Sequence, residues 1–445
     1  MIDILFLQIP DTNTYKFSNK NRDRKMKLRM CPLGLLYLAS YCREKGYNPY
    51  IIDLGIYPNR EKRKEAVIKF IKENNPKVIG ISSYTADYNE FRYISRVCKN
   101  TSPSTPVLFG GPHATFTYKE SLETNPIDIV IRFEGEIILI EVLDYYLRSK
   151  GDLSQIEGIA YIEDGDVKVT KKKKFIQNLD ILPYPARDLI DLDRYLSSGI
   201  MLSSRGCIGR CIFCTAAAMS GSTQRVRSVE NIIGEVLEMY YKYKIKHLNF
   251  VDDTFTVYKE RNIEFCRRLK ELNLGITFDC ESRVDCVDEE LLKEMKAAGC
   301  VGIQFGVESG DQFVLNKINK GIDLEQVRKA VKLANKVGIE HIFCGFMIGH
   351  PEDTKESIER TIDFMMELKA KGVALGVSIT TPFPGTYLYK NLQRLGCKLI
   401  TNEWSNYTLD QCIFETKNLN RREIKKLHVR AGEIIYDEQS SKNRI

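Results

Sequence analysis

Short runs rich in Ile, Val and Leu recur along this chain, and most are separated by a stretch long enough for a helix. Parallel strands need a crossover of a dozen or more residues, commonly a helix, so this alternation points to parallel α/β architecture. The runs fall into two series. Residues 2–9, 48–54, 77–84, 106–111 and 128–133 form the first, with a helix at 33–46 that ends in Gly46, as helices often do. Five such strands predict a doubly wound parallel sheet of Rossmann or flavodoxin-like type over residues 1–150. The second series is 199–204, 246–252, 276–282, 301–309, 339–349 and 372–382. With helices at 228–244 and 288–299, the latter capped by Asp288, it predicts a partial (β/α)6 barrel over residues 196–395. Residues 151–195 interrupt the pattern with a hairpin signal around Asp164-Gly165-Asp166 and a proline-punctuated stretch, "LPYPARDLIDLDRY", which read together as a hairpin and linker. Residues 396–445 hold Trp404 and a basic amphipathic helix, a C-terminal helical region expected to lie under or across the barrel opening.

Length and composition agree with this division. A chain of 445 residues exceeds what one hydrophobic core usually organises. Apolar residues at 43% and charged residues at 28% describe a globular protein rather than a disordered one. The net charge of +7 is spread along the chain, with local clusters at 19–29 and 171–174, so solvated faces are expected and nucleic-acid binding is not. No apolar run is long enough to cross a bilayer, and the N-terminus lacks the basic region and cleavage site of a secretory leader. A cytoplasmic location with reduced thiols is therefore expected for the 13 cysteines.

Three of those cysteines, Cys207, Cys211 and Cys214, stand within "SSRGCIGRCIFC" as C-x3-C-x2-C at the end of the first barrel strand. Structural zinc usually takes four protein ligands, and no matching C-x2-C or histidine pair flanks the triplet. A cubane iron–sulfur cluster is commonly held by four thiolates, so three leave one iron open. An amine and a carboxylate on one molecule, such as the methionine end of S-adenosylmethionine, would chelate that iron. A structural zinc site and unligated thiols stay as alternatives at this point. The other cysteines lie mostly on apolar faces and read as core residues.

Aromatic Phe213 precedes the last cysteine, and the triplet resembles the cluster motif of the radical S-adenosylmethionine superfamily. Later strand ends extend the resemblance. "DDTFT" carries Asp252, Asp253 and Thr254 where the family contacts the cofactor's amino group. "ESRV" carries Ser282 and Arg283, the guanidinium matching a carboxylate. "GVESG" carries Glu308 and Ser309, the glutamate resembling the ribose-binding residue, and "GFMIGHPE" places Met347 on the strand that contacts adenine. The resemblance implies a [4Fe-4S] cluster on the three cysteines and S-adenosylmethionine above it.

The preceding α/β domain, with "CPLGLLYLASYCREKG" and "GGPHAT", resembles the cobalamin-binding class of that superfamily across almost the whole chain. Ligands of doubly wound sheets bind beyond the carboxyl ends of the strands. There stand Ser82, Ser83 and Tyr84, then Gly110, Gly111 and His113, then Glu134, Gly135 and Glu136. None of the five histidines occurs as D-x-H-x-x-G, so the class resemblance implies cobalamin in a base-off state without a histidine ligand, and His113 is the histidine nearest the corrin. The implied reaction is radical methylation of an unactivated carbon or phosphorus in a small-molecule or natural-product substrate, with electrons from a flavodoxin or ferredoxin. Non-methylating radical chemistry, such as cyclisation, ring contraction or oxidation, is the alternative, and a cobalamin-domain sensor a more distant one.

Overall fold

The computed structural model describes residues 1–10 and 28–436. The chain divides into two compact units between Ser198 and Gly199.

The first unit is built on a seven-stranded sheet: β1 (Ile4–Gln8), β2 (Pro49–Asp53), β3 (Val78–Ser82), β4 (Val107–Gly110), β5 (Ile129–Ile131), β6 (Ile159–Glu163) and β7 (Asp166–Val169). The spatial order is β2-β1-β3-β4-β5-β6-β7, with β1 to β5 parallel. Helices cover such a sheet on both faces, so its central strands must be apolar on both sides. Ile4, Leu5 and Leu7, Val78 and Ile79, and Ile129 and Val130 are accordingly all fully buried. Each such side chain contributes roughly 1.5–3 kcal/mol relative to exposure. The order of β1 to β5 is flavodoxin-like, and its switch point lies between β1 and β3.

The hairpin read as part of a linker belongs to this sheet. Strands β6 and β7 add to β5 in antiparallel sense, joined by Asp164 and Gly165, both at positive φ as a two-residue turn requires. The rest of that segment is also held to the first unit. Leu28–Met30 pairs in parallel with Tyr195–Ser197, the Tyr195 hydroxyl donates to Asp53 Oδ2 at 2.8 Å, and Ser40 Oγ donates to the Tyr184 carbonyl at 2.5 Å.

Six parallel strands in chain order form the second unit: β8 (Ile200–Met201), β9 (His247–Phe250), β10 (Thr277–Ser282), β11 (Cys300–Glu308), β12 (His341–Ile348) and β13 (Ala374–Ile379). The sheet does not close, which makes it the expected partial barrel. Its strands alternate: Phe278 and Cys280, Ile303 and Phe305, and Ile342 and Cys344 are buried, whereas Asp279, Gln304 and Phe343 on the opposite face are not. The helices carry their caps in the sequence. Ser228 accepts from Asn231 N before Val229–Tyr243, Asp288 from Leu291 N before Glu289–Ala297, and Asp323 with Gln326 forms a capping box on Leu324–Val337.

The C-terminal helix, Arg421–Tyr436, lies against edge strand β13 and helix Lys355–Lys369. His428 Nε2 donates to the Val377 carbonyl at 3.2 Å, and Arg430 pairs with Glu359. An exposed sheet edge is thereby covered. Trp404 is buried against Tyr407, with ring centroids 4.7 Å apart.

Candidate active site

The cysteine loop starts where β8 ends, and a buried carboxylate roots it there. Asp252 follows β9 and is fully buried. Both its oxygens lie 3.1 Å from the Ser203 N–H, Oδ1 accepts from Ser203 Oγ at 2.8 Å, and the Ser204 hydroxyl donates to the same oxygen. Burial pushes its pKa up, and these donors work against that shift. The motif reading assigned Asp252 to the cofactor, but the structure engages its carboxylate at the root of the loop.

Ser204–Arg205 then pairs antiparallel with Arg225–Val226, so residues 206–224 leave and return through a narrow neck. Gln224 Nε2 ties that neck to Ser204 Oγ at 2.9 Å and to the Thr254 carbonyl at 2.6 Å. Gly206 sits at φ +96°, and a Cβ there would lie 2.4 Å from the Thr223 carbonyl oxygen, so only glycine fits before the first cysteine. Further on, Ile212 N donates to the Ile318 carbonyl at 3.0 Å and Asn319 Nδ2 to the Arg210 carbonyl at 3.0 Å.

The three thiols suit a cluster. Gly209 N–H points at Cys207 Sγ at 3.3 Å and Ala216 N–H at Cys214 Sγ at 3.4 Å, as suits sulfurs that carry negative charge. One point, where a Cβ on Gly209 would stand, lies 3.4 Å from Cys207 Sγ, 3.8 Å from Cys211 Sγ and 3.3 Å from Arg283 Nη1. Burial raises the Cys211 thiol, with Lys320 the leading charge opposing it. Among the described residues no trio of Cys, His, Asp or Glu converges on a single ion. Cluster thiolates each take a separate iron and need no such convergence.

The other barrel motifs stand at the strand ends. Arg283 after β10 is buried and closes its Nε and Nη2 on the Asp285 carboxylate, at 2.9 Å each, and also reaches the Lys320 carbonyl at 3.1 Å. Ser282 Oγ lies 2.5 Å from Thr256 Oγ1. Glu308 takes φ +74° at the end of β11, and its Oε1 accepts from Lys320 Nζ at 2.7 Å. Ser309 is buried beside Thr361, 3.2 Å between hydroxyls. Thr254 Oγ1 donates to the Asp253 carbonyl at 2.6 Å and lies 3.9 Å from Cys207 Sγ, whereas Asp253 itself is exposed. Met347 is half-buried. Gly306 pairs with Gly345 and Gly345 with Gly376, so three adjacent strands carry glycine at one level, where the Phe343 ring lies over Gly376 and the Glu308 and Lys320 side chains over Gly306.

Three residues escaped the motif reading. Gln224 and Lys320 act through contacts that no local pattern announces. His350 lies inside the quoted "GFMIGHPE" but was given no role; it is fully buried, its Nδ1 is 3.0 Å from Thr380 Oγ1, and its ring centroid is 5.6 Å from that of Phe213. Burial, helped by the Lys320 charge, holds its pKa down to about 3, so the imidazole is neutral.

In the first unit, the loops after β3, β4 and β5 present the expected residues at the carboxyl edge of the sheet. Gly111 has φ +100°, and a Cβ there would meet Ser82 Oγ at 2.9 Å and the Ser83 carbonyl oxygen at 3.2 Å, so the loops approach as closely as glycine allows. Ser83 Oγ donates to the Tyr84 carbonyl, and Tyr84 is 59% exposed. Glu134 accepts from Ile176 N at 2.8 Å, Gly135 caps the next helix, and Glu136 is buried. His113 does not face solvent: its ring lies 4.3 Å from that of Tyr88, its Nδ1 is 3.2 Å from Thr85 Oγ1, and burial lowers its pKa to about 3. It is the only histidine in residues 1–198.

The comparisons with known proteins fall on the same two units. Residues 23–143 match the B12 binding domain family, and residues 201–365 match the Radical SAM superfamily. A protein of Pyrococcus horikoshii named as the uncharacterized methyltransferase PH0819 is 36% identical over 401 residues, covering 89% of this chain and 85% of the relative. The chain belongs to the cobalamin-binding radical S-adenosylmethionine enzymes. Two solved structures share the fold of this radical S-adenosylmethionine enzyme. One is the methyltransferase TsrM from Kitasatospora setae with cobalamin and a [4Fe-4S] cluster bound, at TM-score 0.72 and 18% identity, covering 91% of this chain and 81% of that one. The other is the cobalamin-dependent S-adenosylmethionine radical enzyme OxsB with aqua-cobalamin and S-adenosylmethionine bound, at TM-score 0.77 and 18% identity, covering 98% and 67%. The enzyme's cofactors are a [4Fe-4S] cluster, S-adenosylmethionine and cobalamin. Among the described residues no helix is long and apolar enough to cross a membrane.

Proposed function

We propose that this enzyme methylates an unactivated carbon or phosphorus of a small molecule, with Cys207, Cys211 and Cys214 holding the cluster. The observation that carries the reading is the thiol-bearing loop, rooted by Asp252 at the end of β8 with backbone N–H groups aimed at two of its sulfurs. When bound, the cluster supplies the electron that splits S-adenosylmethionine to a 5′-deoxyadenosyl radical, and cobalamin supplies the transferable methyl group.

The chain's own residues bind and orient. Asp253, Thr254, Ser282, Arg283, Glu308, Ser309 and Met347 surround the adenosyl and methionine groups at the strand ends, and Phe213 braces the loop against His350. Of these, Arg283 offers Nη1 toward the cysteines, because Asp285 occupies its Nε and Nη2. In the first unit Ser82, Ser83, Tyr84, Gly110, Gly111, Glu134, Gly135 and Glu136 receive cobalamin at the carboxyl edge of the sheet. His113 is buried against the tilted ring of Tyr88, so it would not serve as a ligand to cobalt. A flavodoxin- or ferredoxin-type donor in the cytoplasm supplies the electrons. The name of the Pyrococcus horikoshii relative supports methyl transfer over other radical chemistry.

The test is anaerobic reconstitution with iron, sulfide and hydroxocobalamin, followed by S-adenosylmethionine and dithionite, with 5′-deoxyadenosine and S-adenosylhomocysteine quantified. Both products are expected from the native protein, and no deoxyadenosine from the Cys207→Ala, Cys211→Ala, Cys214→Ala triple variant. Deoxyadenosine without S-adenosylhomocysteine would replace methyl transfer by non-methylating radical chemistry. Tight zinc in place of iron would overturn the cluster assignment.

A further inference from the structure

Three stretches of chain meet at the cysteine loop. Ile212 N donates to the Ile318 carbonyl at 3.0 Å, Asn319 Nδ2 to the Arg210 carbonyl at 3.0 Å, and Leu388 N to the Ile212 carbonyl at 2.8 Å. Between them these stretches expose Arg210, Lys317 and Lys390, none of which pairs with a carboxylate of a described residue. The stretches themselves supply no such partner, since residues 203–229, 312–322 and 376–402 contain no Asp or Glu. They also hold apolar side chains out in water: Ile208 is 44% exposed, Phe313 56% and Tyr387 47%. Phe313 and Lys317 share the outward side of helix Gln312–Lys317, with Nζ 5.2 Å from the ring centroid, while Val314, Leu315 and Ile318 turn inward. One exposed apolar side chain is ordinary, but three among unpaired cations match a protein-binding surface more closely than a solvated face. Cys211 lies between Arg210 and Ile212, so this surface is one residue of chain away from a cluster sulfur.

We infer that this surface docks an acidic one-electron carrier protein of flavodoxin or ferredoxin type, an inference that rests on the reading that Cys207, Cys211 and Cys214 hold the cluster. Carboxylates around the carrier's redox group meet Arg210, Lys317 and Lys390. Opposite charge speeds the encounter and fixes its orientation, and the apolar side chains lose water in a contact of the small size that electron-transfer partners use. In the transfer the carrier is oxidised by one electron, the cluster is reduced by one, and no bond forms or breaks.

The experiment uses the full chain reconstituted anaerobically with iron and sulfide, and measures binding to an acidic flavodoxin and to an acidic ferredoxin by calorimetry at low and high salt. The native protein is expected to bind at least one of them, more weakly as salt is raised. Lys317→Glu and Lys390→Glu should each weaken binding on the order of tenfold at low salt. Lys332→Glu, the same change of charge at an exposed position of helix Leu324–Val337, should leave it unchanged. Arg210→Glu should behave as the two lysine variants do, and if it takes up no cluster the lysines decide alone. Reduced methyl viologen, a small cation that needs no docking surface, should reduce the cluster of each loaded variant at the native rate; a binding loss accompanied by loss of this reduction marks a damaged loop and counts against docking. Binding by neither carrier, an equal loss in Lys332→Glu, or no loss in the two lysine variants overturns the inference. Binding to phosphatidylserine vesicles but to neither carrier would reassign the surface to a membrane. A native protein without a four-iron cluster fails at the cysteine assignment, read from its iron and sulfide content before any carrier is added, and takes this inference with it.

Discussion

Replacing Asp252 with alanine removes the acceptor on which the root of the cysteine loop depends. The side chain is fully buried and takes the Ser203 N–H and the hydroxyls of Ser203 and Ser204. Gln224 reaches the same Ser204 hydroxyl, but only as a donor, so it offers no substitute acceptor. Each buried polar group left without its partner costs about 1–3 kcal/mol, which puts Asp252→Ala at about 3–6 kcal/mol once water entering the small cavity is allowed for. In a unit of this size about 1 kcal/mol lowers Tm by about 2–4 °C, so a drop on the order of 10 °C is expected. Asp252→Asn keeps one carbonyl oxygen for the hydroxyls but turns an NH2 toward the Ser203 N–H, at about 1–3 kcal/mol. The assay is anaerobic thermal unfolding together with iron bound per chain after reconstitution, and both readouts should fall in the order native, Asn, Ala. An alanine variant that keeps native Tm but loses iron would mean that Asp252 touches the cofactor, as the motif alone suggests. That result would refute the role argued from the structure.

Two further outcomes follow from single positions. Gly206→Ala should leave the secondary structure by circular dichroism unchanged while iron uptake falls severalfold, because its Cβ would strike the Thr223 carbonyl at a left-handed backbone position; native iron content in this variant would contradict the geometry of the neck. Asp353 is buried beside Ser357 and the His350 N–H, and burial pushes its pKa from 3.8 up to about 6, with the Asp311 charge adding to the rise. Because the folded state holds the proton more tightly, this contribution is complete below the unfolded pKa and is lost as pH rises through about 6, worth about 3 kcal/mol. Asp353→Asn should therefore gain Tm relative to native as pH is raised from about 4 to about 7, and a difference that shrinks over that range would reverse the sign of the argument.

Much of the fold was legible because buried parallel strands leave an unmistakable record. Ile4 to Leu7, Val78 to Ile81 and Val107 to Phe109 are nearly continuous apolar runs, and in the second unit Ser228 and Asp288 cap the helices that follow them. The hairpin at 159–169 was equally plain as a hairpin, but a two-residue turn says nothing about which sheet its strands join. The thiols were readable for a local reason: the triplet falls within eight residues of chain. Gln224, Lys320 and His350 were not, because each meets its partner across 12 to 30 residues of intervening chain.

The amino-acid order by itself determined that two parallel α/β units would form and that three thiolates would share one loop at a strand end. Both are properties of near neighbours in the chain, where strand period, helix caps and ligand spacing are set. Only the tertiary structure decided how charge is arranged around that loop: that the Asp252 carboxylate holds its root, that Asp285 takes two nitrogens of Arg283, and that Lys320 closes on Glu308 above Gly306. These depend on which strand ends converge and on which carboxylates lose their water, and the energy of a buried charge is set by all its neighbours together rather than by its place in the chain.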